Sequence, residues 1–204
     1  MALENRESGN YITILDGKFC QRVKEGVEGA KQRTNKIGNV VWEKFYDSFT
    51  GKLIDVKIAD GTYGKTWNFY FHDSGEVYIL QLSYNSSFAN AFLKMLPNVD
   101  LAREMRVSPS SKEEGGKLKT SLFINQNGVA LKHYYTKDHP NGLPIWTQIV
   151  VKGEKVWDST DQLKFLEDMV MSSIVPKLVR DVQVAQPVEP VAEAEEEKTE
   201  KLDF

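Results

Sequence analysis

Apolar and aromatic residues dominate two neighbouring stretches, residues 66–71 and 76–82, which a short polar segment separates, as is typical of β-strands. The short segment between them ends in Ser74-Gly75, which suits a two-residue hairpin turn. Because successive side chains of a strand point to opposite faces, this turn predicts two separate sets of cross-strand pairs. The bulkier set, which we expect in the core, is Trp67–Leu82, Phe69–Leu80 and Phe71–Tyr78. The other face holds the pairs Asn68–Gln81, Tyr70–Ile79 and His72–Val77.

Further elements follow from the same kind of pattern. Residues 43–58 indicate one long strand interrupted near Gly51, with a turn at residues 60–61. Apolar residues recur at helical spacing over 88–96, after a capping Asn-Ser-Ser segment and before Pro97. Residues 104–108 and 119–125 favour strands separated by a polar loop over 109–116. Residues 11–15 favour a short strand near the start of the chain.

The later part of the chain contains two more signals. Asn127-Gly128 is a strong hairpin turn, and it predicts a return strand through residues 129–135. Residues 160–179 show the periodicity of an amphipathic helix, bent or ended by Pro176, which packs on the strands or on another subunit. A homo-oligomer therefore stays open.

Counted from residue 43, the order is three strands, a helix and two strands, which is the outline of an OB-fold. We predict a mainly β protein with helices: a five-stranded OB-fold barrel with a β-hairpin extension and a C-terminal amphipathic helix. The domain spans residues 1–182, with an N-terminal arm over 1–40, the barrel over about 41–151 and the helix over about 159–179. Residues 183–204 are predicted to be a disordered acidic tail.

Charge is divided unevenly along the chain. Residues 185–204 hold seven acidic and two basic side chains, a net charge of −5, whereas the rest of the chain carries +2. Cys20 is the only cysteine and cannot form an internal disulfide. No apolar run is long enough to span a bilayer, so we expect a cytoplasmic protein without a membrane partner.

The sequence shows no arrangement that indicates catalysis. The three histidines are too scattered to suggest a metal site, and the single cysteine has no histidine near it in sequence. We therefore expect a protein that is not an enzyme and that uses no metal and no cofactor.

Aromatic and basic residues together point instead to single-stranded nucleic acid, whose bases stack on flat rings while cations contact the phosphates. The predicted binding surface on the first strands consists of Tyr46, Lys52, Lys57, Asn68, Tyr70 and His72. Across the Asn127-Gly128 turn, Phe123 is expected beside Lys132, with Tyr134 on the same face. The alternative is that these rings only complete the core, but a single sheet buries one face unless the other is covered.

Basic residues in connecting segments add to this surface. The segment between the fourth and fifth strands, where OB-folds often contact ligands, contributes Arg103, Arg106, Lys117 and Lys119. Lys65, in the turn between the first two strands, either touches a phosphate or is merely solvated. The basic stretch 18–36 is either an arm along the nucleic-acid backbone or a loose connection.

Three blocks of the chain resemble bacteriophage single-stranded DNA-binding proteins of replication modules. They are residues 2–11 (ALENRESGNY), 43–51 (EKFYDSFTG) and 121–128 (SLFINQNG), and the resemblance covers most of residues 2–180. The ending is similar to the tails of bacterial and phage members of this class. Its matching residues are Glu195, Glu196, Glu197, Leu202, Asp203 and Phe204.

The resemblance implies a protein that coats and protects single-stranded DNA, without sequence preference, in replication, recombination and repair. It also implies that the acidic tip, with its last aromatic residue and carboxylate, docks into basic pockets on polymerases, helicases or recombination proteins. Two lysines interrupt this tip, so its charge density is lower than in the strongest examples. The alternatives are a structural or adaptor protein built on an OB barrel, and an RNA-binding OB module.

The charge division predicts that the tail competes with DNA for the basic face of the body. Deleting residues 185–204 should therefore tighten binding to oligo-dT at low salt, and the gain should shrink as salt rises. Titration of both chains at two ionic strengths checks this. Equal affinities at low salt would contradict it.

Overall fold

The computed structural model describes residues 10–35, 37–61 and 64–178. These residues form twelve β-strands and two α-helices, and short 3-10 or π turns follow each helix. The strands are β1 (Asn10–Leu15), β2 (Lys18–Val23), β3 (Lys31–Thr34), β4 (Val40–Tyr46), β5 (Phe49–Gly61), β6 (Gly64–Asp73), β7 (Glu76–Ser83), β8 (Met105–Glu114), β9 (Lys117–Gln126), β10 (Val129–Ala130), β11 (Thr147–Val151) and β12 (Glu154–Asp158). The helices are α1 (Ser87–Met95) and α2 (Thr160–Met169).

Ten of the strands form one large mixed sheet in the order β10-β9-β8-β5-β6-β7-β1-β2-β4-β3. Neighbouring strands are antiparallel except β1 and β7, which run parallel. The sheet is not closed into a barrel, since β10 and β3 lie at its two edges, so the predicted five-stranded barrel is not confirmed. The mainly β class with helices is confirmed. Strands β11 and β12 form a separate hairpin that the sequence analysis missed.

Strands β6 and β7 pair in the predicted register, through a turn at Ser74-Gly75. The predicted core face is confirmed, since Trp67, Phe69 and Phe71 are fully buried. Phe69 meets Phe92 of α1 edge to face, with ring centroids 4.7 Å apart. Burial of three large rings on one side fixes which face of the sheet the helices cover.

Both predicted helices are confirmed. The Ser86 hydroxyl caps α1 by accepting a hydrogen bond from the Ala89 amide at 3.2 Å, and Pro97 lies in the 3-10 turn that follows. Helix α2 continues into a π turn and a 3-10 turn that ends at Lys177. Its apolar side, including Leu166 and Val170, is buried in the main core. The helix therefore packs on the sheet and α1 of its own chain.

The predicted long strand over residues 43–58 is in fact two strands, because the chain leaves the sheet between β4 and β5. The predicted irregularity lies between Leu53 and Asp55, where the register with β6 shifts, and not at Gly51. Gly51 has another role: a Cβ there would come within 3.0 Å of the Phe49 ring and 3.2 Å of the His72 carbonyl oxygen. The turn predicted at residues 60–61 also fails, since β5 runs through Gly61 and the connection lies outside the described residues.

The predicted polar loop over 109–116 is wrong. Strand β8 continues through Pro109 to Glu114 and pairs with β9 around a Gly115-Gly116 turn, both glycines having positive φ. Hydroxyl and charged residues on the solvent face of a long hairpin have the composition of a loop, which explains the error. The turn at Asn127-Gly128 is confirmed, but its return strand β10 has only two residues.

The described part of the predicted N-terminal arm, residues 10–35 and 37–40, contributes strands to the sheet. The predicted strand over 11–15 is confirmed by β1, and the basic stretch that follows contributes β2 and β3 to the sheet. The turn between β1 and β2 packs against β8, where a Cβ on Gly17 would lie 2.3 Å from the Ser111 amide nitrogen. This contact holds the β1–β2 turn against β8.

An ion pair joins β3 to β4 at the edge of the sheet. Arg33 donates two hydrogen bonds of 2.8 Å to the Glu43 carboxylate, and Glu43 is 2% exposed. These hydrogen bonds hold the pKa of Glu43 below its usual range. A lowered pKa in the folded state contributes stability above the usual glutamate range, which is lost as pH falls through the folded value.

Replacing Glu43 with Gln should lower the free energy of unfolding at pH 7 by about 1–3 kcal/mol, because Arg33 loses a charged, doubly bonded partner. The difference between the two proteins should shrink as the pH falls through the usual glutamate range, and it should disappear only below the lowered pKa of the native Glu43 carboxyl, where that group is protonated as well. Urea denaturation at several pH values measures both effects. The matched control is Asp47→Asn, which breaks the exposed Lys18–Asp47 pair and should change nothing. Equal effects of the two substitutions would contradict this account.

Candidate nucleic-acid interface

The face of the ten-stranded sheet opposite α1 is called the outer face. Residues directly opposite in a ladder share a face, so its members follow from the observed register. The register links Phe123 to Ser108, Asn125 to Arg106, Arg106 to Thr50, Lys52 to His72, Tyr70 to Ile79, Ile79 to Tyr11, and Arg22 and Lys31 to Glu43. The outer face is therefore continuous from β9 to β3.

Tyr70 lies at the centre of the outer face but is fully buried, in a small cluster with Ile54 and Ile79. The ammonium group of Lys57 stands over its ring, 5.1 Å from the ring centroid. Burial raises the pKa of Tyr70 to about 12. The prediction that Tyr70 offers an exposed stacking platform is therefore wrong, because neighbouring side chains cover the ring. Asn68 beside it is also buried, at 5% exposure.

Phe123 is an exposed ring of the outer face, at 57% exposure. It lies opposite Ser108 of β8. Arg106 and Lys112 are an even number of positions from Ser108, so they project on the same side as Phe123. Lys119, further along β9, lies on this side too and pairs with Glu114 at 2.6 Å. An open ring flanked by cations and hydroxyls is the arrangement that unpaired bases and phosphates require.

A shallow cleft of about 440 Å³ opens beside this ring, where β5, β8 and β9 meet. The residues that line it are Thr50, Arg103, Glu104, Arg106, Asn125 and Asn127. Arg106 is held in place by donating through Nε to the Ser48 hydroxyl at 3.0 Å, and Arg103 pairs with Asp100 at 3.1 Å. The structure thus lines one cleft with the two predicted arginines, with amide side chains that can hydrogen-bond to an anion, and with the carboxylate of Glu104.

Two carboxylates of the outer face are buried beside cations, whereas Glu104 is exposed in the cleft. Glu43 is bonded to Arg33, and Asp55 is 4% exposed with the Lys57 ammonium group 3.7 Å away. Cations on the same face reach solvent, as Lys57 does with a 41% exposed side chain. The electrostatic field of this face is therefore set mainly by its lysines and arginines.

Four predicted binding residues do not lie on the outer face: Tyr46, Lys65, Lys132 and Tyr134. Tyr46 is opposite Phe19 in the β2–β4 ladder, on the core side of the sheet. Lys65 lies two positions before Trp67 on β6 and so shares the core face, and its ammonium group lies 5.7 Å from the centroid of the Tyr84 ring. Neither residue joins Tyr70, because a shift of one position along a strand moves a side chain to the other face.

The predicted pairing of Phe123 with Lys132 and Tyr134 also fails. The ladder of β9 and β10 ends with the hydrogen bond from the Leu131 amide to the Ile124 carbonyl. The chain then turns towards α1, where the Tyr134 amide donates to the Lys94 carbonyl at 2.8 Å. Lys132 and Tyr134 consequently lie on the helix side of the molecule.

Sequence reasoning missed Tyr11 on the outer face, and it left the basic stretch 18–36, which supplies β2 and β3, open between a nucleic-acid contact and a loose connection. Tyr11, 37% exposed, lies beside Ile79, and Arg22 and Lys31 flank Glu43. The strand containing Tyr11 was predicted, but its parallel pairing with β7 joins segments far apart in sequence. No local pattern signals such a pairing.

Some predicted residues cannot be placed on this surface. The tail residues from Glu195 to Phe204 lie outside the described residues, and of Lys117 only the backbone, at the start of β9, is described. In the described parts of the chain, no group of three or more potential ligands could hold a metal ion. No helix in these parts has the length and apolar character needed to cross a membrane.

Comparison with known proteins gives no match. Neither the scan against family models nor the searches of curated proteins and of solved structures found a significant relative.

The Tyr70 hydroxyl is buried and has no hydrogen-bond partner among the described residues. Replacing Tyr70 with Phe should therefore raise the free energy of unfolding by about 1 kcal/mol, since an unsatisfied polar group is removed. The matched control is Tyr84→Phe, which deletes the 2.5 Å hydrogen bond to Glu167 and should lower stability by about 1–2 kcal/mol. Thermal and urea denaturation measure both changes. A loss of stability in Tyr70→Phe as large as in the control would contradict this account.

Proposed function

We propose that this protein binds single-stranded DNA without sequence preference, through the outer face of its sheet, and performs no covalent chemistry. The observation that carries the proposal is the exposed ring of Phe123 among Arg106, Lys112 and Lys119, beside the cleft that contains Arg103. Rings accept any base by stacking and cations accept any phosphate, so neither contact selects a sequence.

The shape of the outer face also supports a single strand as the ligand. The face continues across the sheet to Lys52, Lys57 and Tyr11, which gives a path for an extended backbone. Bases of a duplex are stacked inside the helix and cannot reach a ring such as Phe123. The outer face thus favours unpaired strands over duplex DNA.

The five strands β9-β8-β5-β6-β7, with α1 between the third and the fourth of them in chain order, are proposed to be an opened OB-fold. Closing these five strands into a barrel requires β7 to pair with β9. Here β7 pairs with β1 instead, and α1 packs against β9 and β7. The four N-terminal strands would then extend the binding face rather than form an arm.

We propose further that the acidic tail recruits partner proteins of replication or recombination to the coated DNA. The net charge of −5 over residues 185–204 supports this role, because such a segment is repelled by DNA and attracted to basic protein surfaces. We propose a cytoplasmic location, which is the host cell cytoplasm if the protein is phage-encoded as its resemblance implies.

Replacing Phe123 with Ala should weaken binding to oligo-dT by about 5-fold or more, because one base loses its stacking partner. Lys112→Ala should weaken it less, since only one exposed charge is lost. The matched control is Tyr134→Ala, which removes a ring of 41% exposure from the helix side and should leave affinity unchanged. Fluorescence anisotropy with labelled oligo-dT measures all three. Equal effects of Phe123→Ala and Tyr134→Ala would show that the outer face is not the binding surface.

Salt dependence offers a second test of the same surface. Arg106→Ala should reduce the slope of log affinity against log salt by about 0.7, as expected when one phosphate contact to a single strand is lost. Competition with duplex DNA and RNA then decides the class of ligand. Selective binding of oligo-dT supports the proposal, preference for RNA supports the RNA-binding module, and no binding to any of them supports an adaptor.

A further inference from the structure

The hairpin of β11 and β12 projects from the body of the protein. Within the described residues its strands pair only with each other, and every residue of β11 is exposed. Its exposed apolar side chains include Val150 at 69% and Trp157 at 59%. A solitary two-stranded hairpin is marginally stable in water, so apolar groups in this position indicate a surface that contacts something else.

The two faces of the hairpin differ in charge. Gln148 lies opposite Trp157 and Val150 opposite Lys155, so these four side chains share one face, which is called the Trp157 face. Both carboxylates of the hairpin, Glu154 and Asp158, alternate onto the other face, opposite Val151 and Thr147. The Trp157 face therefore combines an exposed indole with a cation and has no carboxylate.

The turn of the hairpin adds a second cation. Lys152 and Gly153 occupy it with φ values of 51° and 86°. Asn, Asp and Gly are the residues that favour positive φ at the first position of such a turn, and three other two-residue turns of this chain use Asp16, Ser74 and Asn127. A lysine there has a strained backbone conformation and puts a positive charge at the tip of the hairpin. The Val151–Glu154 pair adjoins the turn, and the Val150–Lys155 pair follows it.

The base of the hairpin is fixed to the body by hydrogen bonds. Trp146 donates through Nε1 to Gln162 Oε1 at 2.9 Å, and Gln162 donates to the Pro144 carbonyl at 2.8 Å. Asp158 accepts hydrogen bonds from the amide and the hydroxyl of Thr160 at 2.9 and 2.6 Å. Trp146 thus anchors the hairpin to α2, whereas Trp157 stands on the exposed strand.

We infer that the Trp157 face is a second contact for single-stranded DNA, in which a base stacks on the indole of Trp157 while Lys152 and Lys155 contact phosphates. This inference rests on the proposed function, because it assigns a further part of the same ligand to the hairpin. The Trp157 face carries positive charge and no carboxylate, so it complements a polyanion such as a nucleic acid. An apolar protein surface with few acidic residues would not complement it. The opposite face, with Ile149 and Val156, is the one suited to a protein contact.

The test compares four variants of the full chain with the parent, using labelled oligo-dT of increasing length. Trp157→Ala should weaken binding by about 5-fold or more once the oligonucleotide is long enough to reach the hairpin, and Trp157→Phe should restore most of the loss. Lys152→Asn should weaken binding at low salt while keeping the turn, since asparagine favours its backbone conformation. The matched control Ile149→Ala, on the opposite face, should bind as the parent does.

A direct readout accompanies the affinities. Oligonucleotides that contain photoreactive iodouracil should cross-link to Trp157, and mass spectrometry should identify the cross-linked peptide. Parent-like binding by Trp157→Ala at all lengths, with no cross-link at the hairpin, would overturn the inference while leaving the proposed function intact. Failure of the parent itself to bind any oligo-dT would instead refute the proposed function.

A second copy of the chain is the other occupant that the experiment can reveal. Analytical ultracentrifugation of the same variants without DNA measures self-association. If Trp157→Ala disrupts an oligomer while a DNA short enough for one protomer binds as before, the Trp157 face is an interface between copies and the inference is wrong.

Discussion

The rest of this structure depends on one constraint: one face of the sheet is buried in the core and the other face is left outside it. The rings of Trp67, Phe69 and Phe71 must leave water, and they do so by packing on α1 and the core. Strand alternation then leaves every second residue on the outer face, whatever its chemistry. The proposed binding surface is therefore the face of the sheet that lies opposite the core.

The outer face suits a polyanion because two of its carboxylates are buried beside cations. Glu43 is buried under a bidentate hydrogen bond from Arg33, and Asp55 lies close to the Lys57 ammonium group. Removing Arg33 would leave the buried Glu43 carboxylate without its bidentate partner, on the face that carries Phe123 and the arginine cleft. Ion pairs that stabilise the edge of the sheet thus also shape its electrostatic potential.

Local patterns predicted a large part of this architecture. The register of β6 and β7 followed from one turn, Ser74-Gly75, and α1 followed from its periodicity, a serine cap and Pro97. Local patterns failed where distant segments decide the outcome. Tyr70 has an outward position on its strand, but Ile54, Ile79 and Lys57 cover it.

The remaining errors have similar causes. The long β8–β9 hairpin has the polar composition of a loop because one of its faces is solvated. The β11–β12 hairpin went unrecognised because its turn is Lys152-Gly153 in place of an asparagine or aspartate turn. Tyr46 was assigned to the wrong face because a break between β4 and β5 reset the alternation.

The central claim is that the outer face holds the single strand, and lysine footprinting tests it most directly. The protein is modified with an acetylating reagent in the presence and absence of oligo-dT, and each lysine is quantified by mass spectrometry. The account predicts protection of Lys52, Lys57 and Lys112 on the outer face, with Lys65 and Lys132 on the other side unchanged. Bound oligo-dT that leaves the outer-face lysines fully reactive, or protects the other side instead, would contradict it.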